Sequence, residues 1–127
     1  MIHATADFEF IQLMAFYPEA VSLGIAVLMR GCNIIVDVKM ITAGLNEERL
    51  RAYGCKVHSF ISDADVIAEA KARNSTRAIV AMRKARDLNL LNGAVIAIGN
   101  APTALIETAR MVREDNVKPA LIIGVPV

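Results

Sequence analysis

Tryptophan is absent from the 127 residues, and aromatic side chains make up only 5% of them. A surface that stacks nucleic-acid bases needs such rings, so single-stranded nucleic acid is a poor partner. Lys and Arg number 14 against 13 Asp and Glu, for a net charge of +1, and no basic stripe runs along the chain. The electrostatic footprint of nucleic-acid binding is therefore missing. Cys32 and Cys55 have neither CxxC spacing nor a second pair, so they are expected to be reduced, packed thiols of a cytoplasmic protein. No His/Cys/Asp cluster has metal-ligand spacing, and no metal is expected. P-loop and GxGxxG strings are missing, which leaves nucleotide binding without direct support. Arg30, Asp37, Lys39, Glu47 and Arg83 interrupt every apolar run before it reaches the roughly 20 residues that span a bilayer. The N-terminal residues have no basic region followed by an apolar core, so no signal peptide is expected.

What the chain has is apolar content: 55% hydrophobic residues and a mean hydropathy of +0.45. One domain over residues 1–127 can bury a core at this length. The excess apolar surface must enter buried strands or meet a partner. Residues Asp7 to Phe16 read as a short amphipathic helix, and Pro18 opens a second from Glu19 to Met29, stopped by Gly31. Cys32 to Val38 is β-rich and bounded by glycine, so it reads as a strand. Ile41 to Gly44 reads as a loop. Asn46 caps a helix from Glu47 to Tyr53, with Gly54 closing it, and Lys56 to Ile61 is a second strand. Ser62 or Asp63 caps a helix ending near Arg73. Ser75 or Thr76 caps the next, whose Ile79, Met82 and Ala85 share a face. A strand from Ala94 to Ile98, a helix to about Glu114 and a strand from Ala120 to Val125 complete the chain.

Strands nearly continuous in Ile, Val and Ala, alternating with helices, imply a three-layer α/β/α fold with a mostly parallel sheet. Ligands of such sheets bind outside the carboxyl ends of the strands, here Asp37 to Thr42, Ser62-Asp63, Gly99 to Thr103 and Gly124 to Val127. The stretch Gly99-Asn100-Ala101-Pro102-Thr103 stands out. Gly99 is expected to let the backbone turn sharply. Asn100 and Thr103 can bond main-chain groups at a helix start, and Pro102 suits the first turn. The helix N-terminus then offers N–H groups to an anion. Asp37 and Lys39, two apart, would share one strand face and pair with each other.

Taken in order, Ile2-His3-Ala4-Thr5, Asp37 with Met40, Thr76-Arg77, Gly99-Asn100-Ala101-Pro102-Thr103-Ala104-Leu105, and Lys118-Pro119-Ala120 leading to Gly124-Val125-Pro126-Val127 resemble the precorrin-8X methylmutase family, including its cobalt-precorrin-8 counterpart. The Gly-Asn-Ala-Pro-Thr-Ala-Leu string is the most specific match. The resemblance covers the middle of the family. A preceding segment with an arginine shortly before the histidine is absent, as are a glycine-rich loop after Pro-Val and a final strand and helix. The abrupt ends lead to the expectation of a fragment.

The resemblance implies a flavodoxin-like fold and a cytoplasmic homodimer with no organic cofactor. It implies an isomerase of cobalamin biosynthesis that moves a methyl group between neighbouring ring carbons of a corrinoid substrate. His3 matches the histidine thought to donate and recover a proton, a task suited to an imidazole. Thr5, Asp37, Met40, Thr76, Arg77, Gly99, Asn100, Ala101 and Thr103 match substrate-binding positions. Arg77 and the helix N-terminus suit the substrate's carboxylates. Plainer roles stand beside these: Arg77 as a solvated helix residue, Asp63 as a cap, His58 as a core or sheet-face residue, and the methionines as packing. The alternatives are a corrinoid- or tetrapyrrole-binding relative without catalysis, and a flavodoxin-like nucleotide-binding module.

Overall fold

The computed structural model describes residues 6–125. In chain order the elements are α1 (Phe10–Leu13), α2 (Ala20–Met29), β1 (Asn33–Val36), α3 (Lys39–Gly44), α4 (Glu47–Ala52), β2 (Lys56–His58), α5 (Ala64–Ala72), α6 (Arg77–Asp87), β3 (Val95–Ile98), α7 (Pro102–Glu114) and β4 (Leu121–Gly124). The four strands form one sheet in the order β2-β1-β3-β4. Every pairing is parallel, with Ile34 opposite Val57 and Val95, and Ile96 opposite Ile122. The expected parallel α/β sheet is present.

Alternation along the strands explains the layers. Ile35, Ile96 and Ile98 bury against Ala78, Met82 and Ala85 of α6 and Ala104 and Met111 of α7. Ile34, Val36 and Val95 turn the other way, into a cluster with Val27, Leu28, Ile41, Leu45 and Leu50 from α2, α3, α4 and the turn between the last two. Helices thus cover both faces. Each fully buried isoleucine contributes on the order of 1.5–3 kcal/mol relative to exposure. The outer helix α5 packs on α6 through Val66, Ala70, Val80 and Ala81.

Helix ends follow local chemistry in several places. Gly31 and Gly54, both at φ +78°, close α2 and α4, and Asn46 Oδ1 accepts from Arg49 N–H at 2.9 Å. Thr76, rather than Ser75, caps α6: its Oγ1 accepts from Ile79 N–H at 3.2 Å. Asp63 occupies the cap position of α5 without a side-chain cap bond. Its carboxylate instead accepts from Lys84 Nζ at 2.7 Å.

Strand ends are trimmed, β2 stopping at His58 instead of Ile61, and two further expected elements change. The helix expected from Asp7 to Phe16 shrinks to the single turn α1. Phe8, Ile11, Leu13 and Phe16 are all exposed, so this segment buries no apolar face, and packing is the main source of stability for a short helix. The loop expected from Ile41 to Gly44 is helical, as α3. Ile41 packs into the cluster around Val36 and Ala97, and that contact overrides the weak local preference of Thr42 and Gly44.

Candidate functional site

The chain leaves β1 toward β2 on one side of the sheet and β3 toward β4 on the other. The carboxyl ends of β1 and β3 therefore flank the point where strand order reverses, which is where doubly wound sheets hold ligands. Asp37 lies just past the end of β1 and is 0% exposed. Its carboxylate accepts N–H bonds from Gly99 at 3.0 Å, Asn100 at 3.0 Å and Ala101 at 2.8 Å. Bonds to an ionised acceptor are about twice as strong as neutral ones.

This arrangement overturns two expectations. Asp37 does not pair with Lys39. The extended backbone ends before Lys39, the first residue of α3, so the rule placing i and i+2 on one face no longer applies. Nor do the N–H groups of Gly99, Asn100 and Ala101 await an external anion, because Asp37 already occupies them.

The turn itself is built differently from its expected form. Positive φ among the described glycines occurs at Gly31, Gly54 and Gly93, not at Gly99. Glycine at 99 instead lets Ile41 approach closely: a Cβ there would lie 3.1 Å from Ile41 Cδ1, tight enough that the side chain would have to shift. Ala101 is the cap residue of α7, with no side-chain cap bond, and Pro102 opens the helix. Neither Asn100 nor Thr103 acts as the cap. Thr103 Oγ1 instead accepts from the hydroxyl of Thr76 at 3.2 Å, which ties the starts of α6 and α7 together.

Hydrogen bonds thus unite Asp37, Gly99, Asn100, Ala101 through one carboxylate, and Thr76 with Thr103 through their hydroxyls. Asn100 is exposed, and so is Arg77, the residue after Thr76. Met40, 77% exposed, stands on α3 beside Ile41, the side chain that faces Gly99. His3 and Thr5 lie outside the described residues. His58, the other histidine, bonds Asn33 Oδ1 through Nε2 at 3.1 Å and stacks on Phe60. Burial, followed by the charge of Lys56, lowers its pKa, as suits a sheet-face residue.

Sequence reasoning passed over Glu107. It is 5% exposed on α7 and accepts from Arg83 Nε at 2.9 Å and Arg110 Nη2 at 2.8 Å. Burial alone would raise its pKa, but the hydrogen bonds from Arg110 and Arg83 outweigh it and hold the carboxyl below its usual range. Arg83 belongs to α6, so this ion pair clamps α6 to α7 further along the helices than Thr76 and Thr103. A signal was present: Ala104, Glu107, Thr108 and Met111 are spaced as one helical face, which puts a carboxylate in a buried stripe.

All 127 residues match the family model described as precorrin-8X methylmutase. The chain belongs to the precorrin-8X methylmutase family. It is 55% identical over 127 residues to a protein of Leptospira interrogans named cobalt-precorrin-8 methylmutase, and 45% identical to one of that name from Priestia megaterium. The alignments take in 100% of this chain but 58% and 56% of those relatives. A solved precorrin-8X methylmutase from Thermus thermophilus superimposes with a TM-score of 0.88 at 44% identity, covering 99% of this chain and 60% of that one. A second structure, described as a precorrin-8X methylmutase related protein, gives a TM-score of 0.84 at 32% identity. The chain therefore spans somewhat over half the length of these methylmutase relatives.

Proposed function

We propose that the protein is an isomerase that shifts a methyl group to the neighbouring ring carbon of a corrinoid precursor. It would convert precorrin-8X to hydrogenobyrinic acid, or cobalt-precorrin-8 to cobyrinic acid, in cobalamin biosynthesis. The match to the methylmutase family along the whole chain carries this reading. His3 serves as the residue that gives a proton to the ring system and recovers it, so substrate and product remain isomers; an imidazole titrates near neutrality. This role rests on the sequence resemblance around His3. Thr5, Met40, Thr76, Arg77, Asn100 and Thr103 form the substrate-facing set. Arg77 meets a carboxylate of the macrocycle, while Asn100 and Thr103 offer an amide and a hydroxyl. The reading requires no organic cofactor. Nucleotide binding is disfavoured because the main-chain donors that would cradle a phosphate already bind Asp37.

The same proposal includes a cytoplasmic homodimer. No described helix is long and apolar enough to cross a membrane. Helix α2 carries no charged side chain, and its Val21, Ile25 and Met29 are more than half exposed. A groove of about 380 Å³ between α2 and β4 is lined by Phe16, Tyr17, Val21 and Leu121. Apolar surface of this kind favours a partner.

Visible absorption tests the chemistry. Purified protein should convert the precursor to the coloured product, and His3→Ala should lose conversion while still retaining the corrinoid through gel filtration. Wild-type turnover by His3→Ala would remove His3 as the proton donor. Failure of the protein to retain any corrinoid would remove the whole reading. Light scattering at micromolar concentration tests the dimer, and a monomeric mass would exclude it.

A further inference from the structure

The turn at residues 99–101 has the form of an anion site. Three consecutive N–H groups converge on one carboxylate, at 3.0, 3.0 and 2.8 Å. They lie immediately before a 13-residue helix whose cap residue, Ala101, supplies no side-chain bond, so the positive end of the helix dipole points the same way. The turn also sits at the reversal of strand order, where open parallel sheets seat anionic ligand groups. The carboxylate that fills it is fully buried and comes from Asp37, more than 60 residues away in sequence.

We propose that residues 99–101 form an anion seat permanently occupied by the protein's own Asp37, making Asp37 a positioning residue that also determines specificity. Two consequences follow. First, a phosphate-bearing or free carboxylate ligand is denied these three main-chain donors. Whatever docks against this wall meets the exposed Asn100 side chain and the half-buried Thr103 hydroxyl instead. Second, the seat holds the end of β1 to the start of α7. The same carboxylate fixes the turn that Ile41 packs against, because Gly99 is both a donor to Asp37 and the neighbour of Ile41. The seat itself is independent of the reaction proposed above. Only the assignment of Asn100 and Thr103 to a corrinoid rests on that reading.

Removing the carboxylate should open the seat to a small anion. Asp37→Ala is expected to melt on the order of 10 °C below wild type, because three N–H groups lose a charged acceptor. Sodium formate or inorganic phosphate, matched in ionic strength with sodium chloride, should raise that melting temperature saturably by mass action. Wild type should respond to neither anion beyond the chloride control. Equal formate responses in wild type and variant, or none in the variant, would overturn the proposal. Amide hydrogen exchange provides a test that survives poor folding of Asp37→Ala. In Asp37→Asn, protection at Asn100 and Ala101 should fall at least tenfold while Ile96 in β3 keeps its protection. Unchanged protection at both turn amides would likewise overturn it. Neither measurement involves corrinoid turnover, so failure of the seat and failure of the proposed reaction are read separately.

Discussion

Thr76 donates its hydroxyl to Thr103 across 3.2 Å, and the same Thr76 oxygen accepts the Ile79 N–H. One side chain thus starts α6 and fastens it to the second residue of α7. Both threonines belong to the expected substrate wall, so the wall's geometry depends on a bond between two of its own members.

Replacing Thr76 by alanine removes cap and link together, and should cost about 1–2 kcal/mol of stability in urea unfolding. Thr103→Val keeps the cap and removes only the link, for about 0.5–1 kcal/mol. A double-mutant cycle should give a coupling near the value for Thr103→Val alone. Strict additivity of the two substitutions would show that the hydroxyls do not interact.

Glu107 provides the acid-side prediction. Its pKa is held down in the folded state by Arg110 and Arg83. A carboxyl with a depressed folded pKa contributes stability that is present above its unfolded value and lost as pH falls. Stability should therefore decline as pH falls below about 4, the range where an ordinary glutamate takes up its proton. Glu107→Gln should flatten that decline and cost about 2 kcal/mol at pH 7. An unchanged acid limb in the variant would exclude Glu107 as its source.

Cys32 predicts the alkaline side. Burial first, then the neighbouring Cys55 thiol, pushes its pKa up to about 11. Alkylation by iodoacetamide at pH 8 should be much slower than for a free cysteine, because the thiolate is the nucleophile. The rate should climb with pH toward 11. Because the folded pKa lies above the unfolded value, the unfolded chain loses this proton first, and the contribution to stability fades between about pH 9 and 11. Rapid labelling at neutral pH in the folded state would contradict this.

The glycines separate two kinds of constraint. At Gly31 an added Cβ would lie 2.8 Å from the Tyr53 carbonyl oxygen, and φ is +78°. Neither the backbone oxygen nor the left-handed dihedral can yield cheaply, so Gly31→Ala should cost about 2 kcal/mol or more. At Gly99 the neighbour is the end of the Ile41 side chain at 3.1 Å, which can shift. Gly99→Ala should cost less than Gly31→Ala, and Ile41→Val should relieve part of the Gly99→Ala cost. Thermal melts of the four variants test this order.

Residue order along the chain was enough for the parallel sheet, its helical cover and most of the caps. Continuous Ile-Val runs such as Asn33 to Val36 and Val95 to Ile98 bury on both faces, and that demands helices on both sides. Gly31, Gly54, Asn46 and Thr76 mark their helix ends through their own dihedrals or cap bonds, so that part of their role can be read locally, while the contacts of Gly31 with Tyr53 and of Thr76 with Thr103 cannot. The ordered matches from His3 to Val127 were enough for the family, which the full-chain comparison bears out.

The partner of Asp37 could be decided only in three dimensions. In sequence its nearest opposite charge is Lys39, while the donors it takes are more than 60 residues away. Pairing β1 with β3 brings the end of one strand to the turn after the other. Three converging N–H groups then satisfy a buried carboxylate better than one exposed lysine on a separate helical turn. The same reason applies to α3, whose Ile41 gained a core to enter, and to the segment around α1, whose apolar residues found none. Periodicity along a chain states which faces need burial. Only the folded sheet determines what meets them.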